Sequence, residues 1–190
     1  MKLQGILPFA RSLLTSAINT GEIAIDATVG NGHDTVFLAN LVGENGQVFG
    51  FDIQKEAITN TTKRLKEQRL DKQVTLFHKG HEEIVASVPA NVQGNIKGAI
   101  FNLGYLPGGD KTIVTQPNTT IAAVEQLMEL LAPEGIIVLV IYHGHPEGQT
   151  EKEELLSFVK QLDQKKAHVL KYQYINQENH PPFIIAIEKR

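Results

Sequence analysis

The fold is decided by the stretch Ile25-Asp26-Ala27-Thr28-Val29-Gly30-Asn31-Gly32-His33-Asp34-Thr35. This stretch continues a hydrophobic run that starts at Ile23, and it leads into a segment with helical periodicity. Glycines in such a turn let the backbone bend tightly and approach a ligand without a Cβ in the way. We therefore expect a strand, a glycine turn and a helix, the basic unit of nucleotide-binding α/β sheets.

Apolar, β-rich runs alternate with amphipathic stretches, which predicts parallel strands joined by crossover helices. The last two runs are separated only by residues 177–182, too few for a helical crossover, so they should pair antiparallel. The predicted fold is α/β and Rossmann-like, a seven-stranded, mostly parallel sheet with an antiparallel terminal strand. The predicted strands are 23–27, 47–52, 74–78, 98–102, 136–142, 168–175 and 183–189. The predicted helices are 34–41, 55–68, 82–87, 120–131 and 152–164.

Length and composition predict one domain over residues 1–190. No apolar run approaches the roughly 20 residues of a membrane helix. The N-terminus carries Lys2 and Arg11 without a continuous apolar region, so we expect no membrane partner and a cytoplasmic location. The chain has no cysteine, which excludes disulfides, thiolate metal sites and thiolate nucleophiles.

The formal net charge of −3 gives no overall attraction to nucleic acid. Two local basic clusters exist, one formed by Lys63, Arg64, Lys66 and Arg69, the other by Lys165, Lys166 and Lys171. Each cluster is either a phosphate-binding surface or an ordinary solvated helix face.

The glycine turn departs from the dinucleotide fingerprint, because Thr35 stands where a third small residue would allow close packing. Asp34 would compete with a phosphate for the helix N-terminus, but it suits the cationic methionine end of S-adenosylmethionine. Asp26 can either orient the loop or receive a cationic group. We therefore predict S-adenosylmethionine as the cofactor.

Further polar residues follow the next two predicted strands. Asp52 ends the second strand, where a carboxylate can accept hydrogen bonds from both ribose hydroxyls, and Gln54 can add a contact. His81 and Glu82 follow the third strand and could border the adenine. The alternative is that Asp26 and Asp52 are helix caps and that His81 and Glu82 begin a solvated helix.

The fourth strand leads into Asn102-Leu103-Gly104-Tyr105, which is similar to the Asn-Pro-Pro-Tyr motif of amino-methyltransferases with both prolines replaced. An Asn amide oxygen and the next backbone carbonyl can accept the hydrogens of an amine and aim its lone pair. Tyr105 could stack on a base. Without a cysteine, methylation at carbon-5 of a pyrimidine is disfavoured, whereas nitrogen or oxygen methylation is open.

The fifth strand ends at Tyr142 and His143. His143 is either a base that removes the proton of an amine or a structural residue bonded within its loop. His143 and His145 also resemble a metal pair, but we predict no metal. Asn179, between the last two strands, either contacts substrate or forms part of a proline-pinned turn.

Together these residues resemble the bacterial "Putative rRNA methylase" family, including its members that methylate 5-aminomethyl-2-thiouridine in the tRNA of Gram-positive bacteria. The resemblance extends over the whole chain. It is carried by the segments 26–35, 52–54, 81–82, 102–110, 142–148 and 179–182.

The resemblance implies a class I methyltransferase that converts 5-aminomethyl-2-thiouridine at the tRNA wobble position to 5-methylaminomethyl-2-thiouridine. It also implies the tRNA anticodon stem-loop as partner and a homodimer. The predicted cofactor contacts are Asp26, Gly30, Asn31, Gly32, Asp34, Asp52, Gln54, His81, Glu82 and Asn102. The predicted catalytic residues are Asn102, Tyr105 and His143, and the predicted substrate contacts are Tyr105, Tyr142, His143 and Asn179.

Other functions stay open at this point. They are methylation of ribosomal RNA or of a small molecule, a nicotinamide-dependent oxidoreductase, and a nucleotide-binding module without catalytic activity. The oxidoreductase would leave the Asn-x-x-Tyr strand end unexplained.

Overall fold

Seven strands and six α-helices make up the computed structural model, which describes residues 2–106, 108–110, 112–144 and 146–190. The strands are β1 (Ile23–Asp26), β2 (Gln47–Phe51), β3 (Val74–Phe77), β4 (Ile96–Leu103), β5 (Leu131–Ile141), β6 (Ala167–Tyr172) and β7 (Phe183–Lys189). The helices are α1 (Ile6–Ala17), α2 (His33–Val42), α3 (Lys55–Glu67), α4 (Ile84–Ser87), α5 (Pro117–Leu130) and α6 (Pro146–Val159). Short 3₁₀ turns cover His81–Glu83 and Ala90–Val92.

The strands form one sheet in the order β3-β2-β1-β4-β5-β7-β6. The first five strands of this order pair parallel, β7 runs antiparallel to β5, and β6 pairs antiparallel with β7. The predicted α/β class, the seven strands and the antiparallel terminal hairpin are therefore confirmed.

The strand order reverses between β1 and β4, which pair parallel through Ile25 with Ala99 and Asp26 with Ile100. At such a switch point the loops that follow the two strands diverge to opposite faces, and a crevice opens at their carboxyl ends. The glycine turn after β1 and the Asn102 region at the end of β4 therefore meet at one place.

Two hydrophobic layers cover the sheet, because successive strand residues point to opposite faces. On one face Ala24 and Ile100 pack with residues of α1, α2 and α3, such as Leu14. On the other face Ile25 and Phe101 pack with residues of α4, α5 and α6. Burial on both faces explains why the central strands are continuous apolar runs.

Helix α1 was not predicted from the sequence. It begins after Gly5 with no side-chain cap, has no acidic residue in its first turn, and contains Pro8, which a first turn tolerates. Its apolar spacing, from Ile6 through Phe9 and Leu13 to Ala17, is nevertheless helical. The tertiary structure stabilises it, since Phe9 stacks on Tyr172 of β6 with ring centroids 4.0 Å apart.

Two predicted boundaries are also too late in sequence. Strand β5 begins at Leu131, before a Pro133-Glu134-Gly135 segment that has the composition of a turn. In the structure this segment is an irregularity within the strand, with Glu134 at φ +61° and a register shift against β4. Helix α6 begins at Pro146, a residue type favoured at a first helical position, although Gly148 weakens the helical signal.

Within the described parts of the chain, no helix has both the length and the apolar character needed to cross a membrane. The cytoplasmic location stays a prediction.

Gly98 of β4 makes the close packing of α1 possible. A Cβ at this position would lie 2.5 Å from Cδ1 of Ile18 and 3.2 Å from Cδ2 of Leu14. We expect Gly98→Ala to lower the free energy of unfolding by about 1–3 kcal/mol, the cost of overpacking, as measured by urea denaturation. Ile18→Val removes the nearest atom, so the Gly98→Ala penalty should be smaller in an Ile18→Val background. An equal penalty in both backgrounds would contradict this packing argument.

Candidate active site

Two adjoining cavities open at the carboxyl ends of β1, β2 and β4. The first cavity, of about 210 Å³, lies towards the end of β2 and the His81–Glu83 turn. The second cavity, of about 580 Å³, lies towards α1 and the end of β5. Both cavities are lined by Thr28, Gly30, Asn102, Gly104 and Tyr105, so these residues form their common boundary.

The glycine turn lies against helix α3. Gly30 and Gly32 have φ values of +50° and +77°, the left-handed region that favours glycine. A Cβ on Gly32 would lie 2.6 Å from Oγ1 of Thr61, and this hydroxyl donates a hydrogen bond of 3.1 Å to the Gly30 carbonyl. Gly32 also precedes α2, so the turn delivers Asn31 and Asp34 to the wall of the second cavity.

Asp26 holds this turn from within the protein. Its carboxylate is fully buried and accepts hydrogen bonds from Thr35 Oγ1 at 2.6 Å and from the Thr28 backbone N–H at 3.2 Å. Burial, followed by the negative charge of Asp34, raises the pKa of Asp26 to about 7. Asp26 is not among the residues that line either cavity, and its two hydrogen bonds hold the loop that does.

Asp52 connects the end of β2 to the glycine turn. Its Oδ2 accepts the Gly30 backbone N–H at 2.8 Å, and its Oδ1 accepts the Gln54 backbone N–H at 2.8 Å. Asp52 and Gln54 both line the first cavity. A carboxylate has about four acceptor positions, so each oxygen can accept a further hydrogen bond from a ligand.

His81 brings a lone pair to the first cavity. Its Nδ1 lies 3.1 Å from the Ala27 carbonyl oxygen, which can only accept, so Nδ1 carries the proton. Burial lowers the pKa of the ring, which favours the neutral form with an acceptor at Nε2. Among the described residues Nε2 is buried without a hydrogen-bond partner. Glu82, also in the cavity lining, lies with its carboxylate against Gly80.

Asn102 lies where the two cavities meet. Its backbone N–H donates to Thr28 Oγ1 at 2.7 Å, and its side-chain Nδ2 donates to Asp34 Oδ2 at 2.9 Å. The other oxygen of Asp34 accepts two hydrogen bonds from Arg11, at 3.1 Å from Nε and 2.8 Å from Nη2. The sequence analysis did not identify Arg11 as a site residue, because its helix was not recognised.

The Leu103-Gly104 dipeptide has a geometry that two prolines could not adopt. The Gly104 N–H donates to Thr115 Oγ1 at 3.0 Å, and Gly104 has a φ of +152°. The Leu103 carbonyl accepts the Tyr142 N–H at 3.1 Å. The expectation that this carbonyl also accepts a substrate hydrogen stays a prediction, because a carbonyl oxygen has two lone pairs and this bond uses one.

Two tyrosines border the second cavity from adjacent strand ends. Tyr105 is 41% exposed and Tyr142 is 37% exposed, so both rings present area to a ligand. Burial, followed by the charge of Asp34, raises the pKa of the Tyr142 hydroxyl. A Cβ on Gly104 would make only an ordinary contact of 3.4 Å with the Tyr142 Cβ, so the positive φ of this residue, and not lack of space, favours glycine.

His143 is hydrogen-bonded within its own region. Its Nε2 lies 3.1 Å from the Pro181 carbonyl, and Gln149 Nε2 lies 3.4 Å from its Nδ1. Burial, followed by the charge of Lys152, lowers the pKa of His143. His143 lines the second cavity, but acting as a base would require it to give up one of these hydrogen bonds. His145, the other member of the possible metal pair, lies outside the described residues.

Asn179 is exposed and does not line either cavity, whereas the neighbouring His180 lines the second cavity. The short link between β6 and β7 therefore reaches the site through a residue that the sequence analysis did not select. Its signal was present, since His180 precedes the two prolines that end the link.

The two basic clusters lie on opposite faces of the sheet. Helix α3 packs on the α1 face, where Arg64 Nη1 lies 3.3 Å from Nδ1 of His33, a residue that lines the second cavity. Lys166 lines a separate cavity beside α5 and α6 on the other face. The α3 cluster therefore reaches the rim of the second cavity, because its member Arg64 contacts His33 there.

In the described part of the chain, no group of three or more His, Cys, Asp or Glu side chains is arranged to hold a metal ion.

Comparison with known proteins gives consistent matches. A family described as "Putative rRNA methylase" matches residues 48–188. A crystal structure from Clostridium thermocellum, titled as a putative rRNA-methylase, has 46% identity, a TM-score of 0.96 and full coverage of both chains. A putative methyltransferase from Streptococcus mutans, solved in complex with SAH, has 39% identity, a TM-score of 0.89 and 99% coverage of both chains.

A curated relative is the chloroplastic tRNA (mnm(5)s(2)U34)-methyltransferase of Arabidopsis thaliana, 36% identical over 180 residues. The match covers 90% of this chain and 65% of the plant protein, so the chain spans about two thirds of its length.

The fold and the site at its switch point define an S-adenosylmethionine-dependent methyltransferase of the Rossmann-like class. The chain belongs to the family described as "Putative rRNA methylase". This membership favours methyl transfer over the nicotinamide-dependent and non-catalytic alternatives.

The buried Asp26 carboxyl generates a prediction about stability and pH. Its folded-state pKa of about 7 exceeds the ordinary value of 3.8 for an aspartate. The stability it contributes is therefore fully present below about pH 4 and is lost as the pH rises through 7. Asp26→Asn preserves the size but cannot titrate. From pH 4 to 8 we expect the variant to gain up to roughly 4 kcal/mol in free energy of unfolding relative to the parent protein, by urea denaturation.

The exposed Asp71→Asn, which also removes one carboxylate, is the matched control for Asp26→Asn. A difference between Asp26→Asn and the parent protein that stays constant across this pH range would contradict the buried, proton-binding state of Asp26.

Proposed function

We propose that this enzyme methylates the aminomethyl nitrogen of 5-aminomethyl-2-thiouridine at the tRNA wobble position, giving 5-methylaminomethyl-2-thiouridine. The observation that carries this proposal is the position of Asn102 between two adjoining cavities. One cavity would hold the adenosine end of the cofactor and the other the substrate base. Asn102 would then lie where the methyl group is transferred.

The first cavity has the polar groups that an adenosine needs. We assign Asp52 to the ribose hydroxyls, with Gln54 beside it, because a carboxylate at the end of the second strand suits that role. His81 Nε2 is a buried acceptor that no described residue satisfies, and an adenosine donor would satisfy it. Glu82 completes this side of the cavity.

The glycine turn would bind the methionine end of the cofactor. Gly30, Asn31 and Asp34 line the second cavity close to the common boundary, and Gly32 shapes the turn behind them. Asp26 would act through the turn, which its two hydrogen bonds hold in place. S-adenosylmethionine, when bound, supplies an electrophilic methyl group on a sulfonium sulfur.

The residues of the chain would orient an amine nucleophile. Asn102 donates through Nδ2 to Asp34, so its Oδ1 is left to accept an N–H from the substrate amine. Accepting this hydrogen aims the nitrogen lone pair, and orientation of this kind is a main source of rate enhancement. An alkylamine with a pKa of roughly 10 must also lose a proton, the role predicted for His143.

The substrate base would occupy the second cavity. Tyr105 and Tyr142 offer partly exposed rings on which a flat base can stack. Asn179, from the adjacent link, would contact the RNA outside the cavity. The chloroplastic relative acts on tRNA according to its name, and its 36% identity supports a tRNA substrate for this chain.

We further propose that residues 1–190 act as one cytoplasmic domain, as a homodimer that binds the tRNA anticodon stem-loop. The family description favours ribosomal RNA as the second candidate substrate. Either substrate is compatible with the same site, because both place a nucleobase next to the transferred methyl group.

The deciding experiment is incubation with S-adenosylmethionine and tRNA from cells that lack this gene, followed by nucleoside mass spectrometry. We expect 5-aminomethyl-2-thiouridine to be converted to its N-methyl form. Ribosomal RNA from the same cells is the parallel substrate. Methylation of the ribosomal RNA with unchanged tRNA would overturn the tRNA proposal and support the second candidate.

Asp52 and Asn102 should separate cofactor binding from methyl transfer. Asp52→Ala should weaken S-adenosylmethionine binding by about 10–100-fold, because hydrogen bonds to a charged group are lost. Asn102→Ala should leave binding largely intact and lower kcat by about 10–100-fold, as expected for a group that orients the nucleophile. Calorimetric titration and single-turnover rates would measure the two effects. Equal losses of affinity in both variants would contradict this division of roles.

His81 offers a test of the first cavity. His81→Asn retains a donor for the Ala27 carbonyl but removes Nε2, and we expect SAH affinity to fall by about tenfold. His168→Asn, an exposed histidine on β6, is the matched control. An unchanged SAH affinity in His81→Asn would show that Nε2 does not contact the cofactor.

A further inference from the structure

We infer that Arg11 is a positioning residue for methyl transfer, acting through Asp34 to set the orientation of the Asn102 amide. The inference rests on the proposed function only in taking an amine as the nucleophile. Arg11 does not contact the reacting atoms in this scheme. It links helix α1, at the start of the chain, to the boundary between the two cavities.

The first step concerns the Asn102 amide, which has two donors at Nδ2 and an acceptor at Oδ1. The two ends occupy nearly the same space, so a partner must decide which one faces the substrate. An ionised Asp34 carboxylate can only accept hydrogen bonds, and Nδ2 lies 2.9 Å from its Oδ2. Asp34 therefore holds the nitrogen and leaves Oδ1 for the substrate.

The second step concerns the carboxylate of Asp34 itself. Arg11 donates to Oδ1 through both Nε and Nη2, at 3.1 and 2.8 Å, which fixes the rotamer of the Asp34 carboxylate. The side chain of Asp34 is 12% exposed and that of Arg11 is 41% exposed, so solvent partly screens the charges and the two hydrogen bonds carry the positioning.

The third step concerns what holds Arg11. Its guanidinium carbon lies 5.1 Å from the centre of the Phe37 ring, in a cation–π contact. Its helix is anchored by the adjacent, fully buried Ala10 and by Leu14. Arg11 is thus presented to Asp34 by packing on the sheet.

The orientation of this amide matters because each neighbouring carbonyl already accepts one hydrogen bond from the protein, which leaves it a single lone pair. The Leu103 carbonyl accepts the Tyr142 N–H, and the Gly104 carbonyl accepts the Thr115 N–H at 3.1 Å. An Asn102 flipped by 180° would point Nδ2 at the substrate, and two donors would then oppose each other.

The test uses sinefungin, a cofactor analogue with an amine in place of the methyl-bearing sulfonium, and SAH, which lacks both. Binding of each compound to the 190-residue protein is measured by calorimetry. The ratio of the two Kd values shows whether a hydrogen-bond acceptor, such as Asn102 Oδ1, faces the position of the sinefungin amine. We expect the parent protein to prefer sinefungin. Arg11→Gln, Asp34→Asn and Asn102→Ala should each reduce this preference by about tenfold, the factor for a lost hydrogen bond to a charged group.

Controls separate positioning from general damage. Asp34→Asn is isosteric and can itself donate to Asn102, so it permits the flipped amide. Arg11→Lys retains a cationic donor and should keep most of the preference. Arg190→Gln, whose arginine contacts the Gln164 carbonyl, should keep all of it. In steady-state assays Arg11→Gln should lower kcat by about tenfold, with KM for S-adenosylmethionine changed less than about twofold.

Two results would overturn the inference. In one, the preference falls in Asn102→Ala but not in Arg11→Gln and Asp34→Asn, so the amide acts without its two partners. In the other, the parent protein shows no preference for sinefungin, so no acceptor faces the transfer position. A failure of the tRNA proposal would be distinguishable from these results. It would leave the tRNA unmodified in the mass-spectrometry experiment, whereas the sinefungin comparison is made without RNA.

Discussion

The pairing of β1 with β4 is the constraint on which the site depends. These strands are separated by about 70 residues of chain, yet their parallel register puts Asp26 beside Ile100. The glycine turn and the Asn102 region consequently begin at the same edge of the sheet, and the Thr28 hydroxyl accepts the Asn102 N–H across the gap. The two cavities exist because the chain leaves this edge in opposite directions.

Three carboxylates converge at this edge, and the protein stabilises each in a different way. Asp26 is buried, and its pKa of about 7 allows it to bind a proton near neutrality. Asp34 is paired with Arg11, and Asp52 accepts two backbone N–H groups. The result is a site that holds several acidic groups at short range without leaving one of them both charged and unpaired, which would be costly.

The segment after β4 is held by a chain of hydrogen bonds that reaches helix α6. Glu151 is buried and accepts Thr115 Oγ1 at 2.6 Å and Thr120 Oγ1 at 2.8 Å. Thr115 in turn accepts the Gly104 N–H, so the backbone next to Asn102 is tied to the far side of the sheet. Residues from α1, α2, α5 and α6 thus contribute together to the hydrogen bonds around Asn102 and Gly104, where the two cavities meet.

Local patterns in the sequence determined the class of fold and much of the first cavity. Strand runs, the glycine turn and the short 177–182 link predict the sheet, because period-two burial and connection length are properties of neighbouring residues. Asp52, Gln54, His81 and Glu82 could be selected because each follows a strand and therefore falls at one edge. Helix α1 was missed because it has no capping signal, although its apolar spacing was helical.

Tertiary structure alone decided how the selected residues are used. Asp26 and Asp34 are eight positions apart, but only folding buries one completely and pairs the other with Arg11. The geometry of Leu103-Gly104 depends on Tyr142 and Thr115, which no local pattern connects to it. His180 replaces Asn179 at the second cavity for the same reason. The spacing of apolar residues in the sequence shows which face of a strand or helix each residue occupies. Which residues distant in the chain become its hydrogen-bond and packing partners is decided only when the complete sheet packs together.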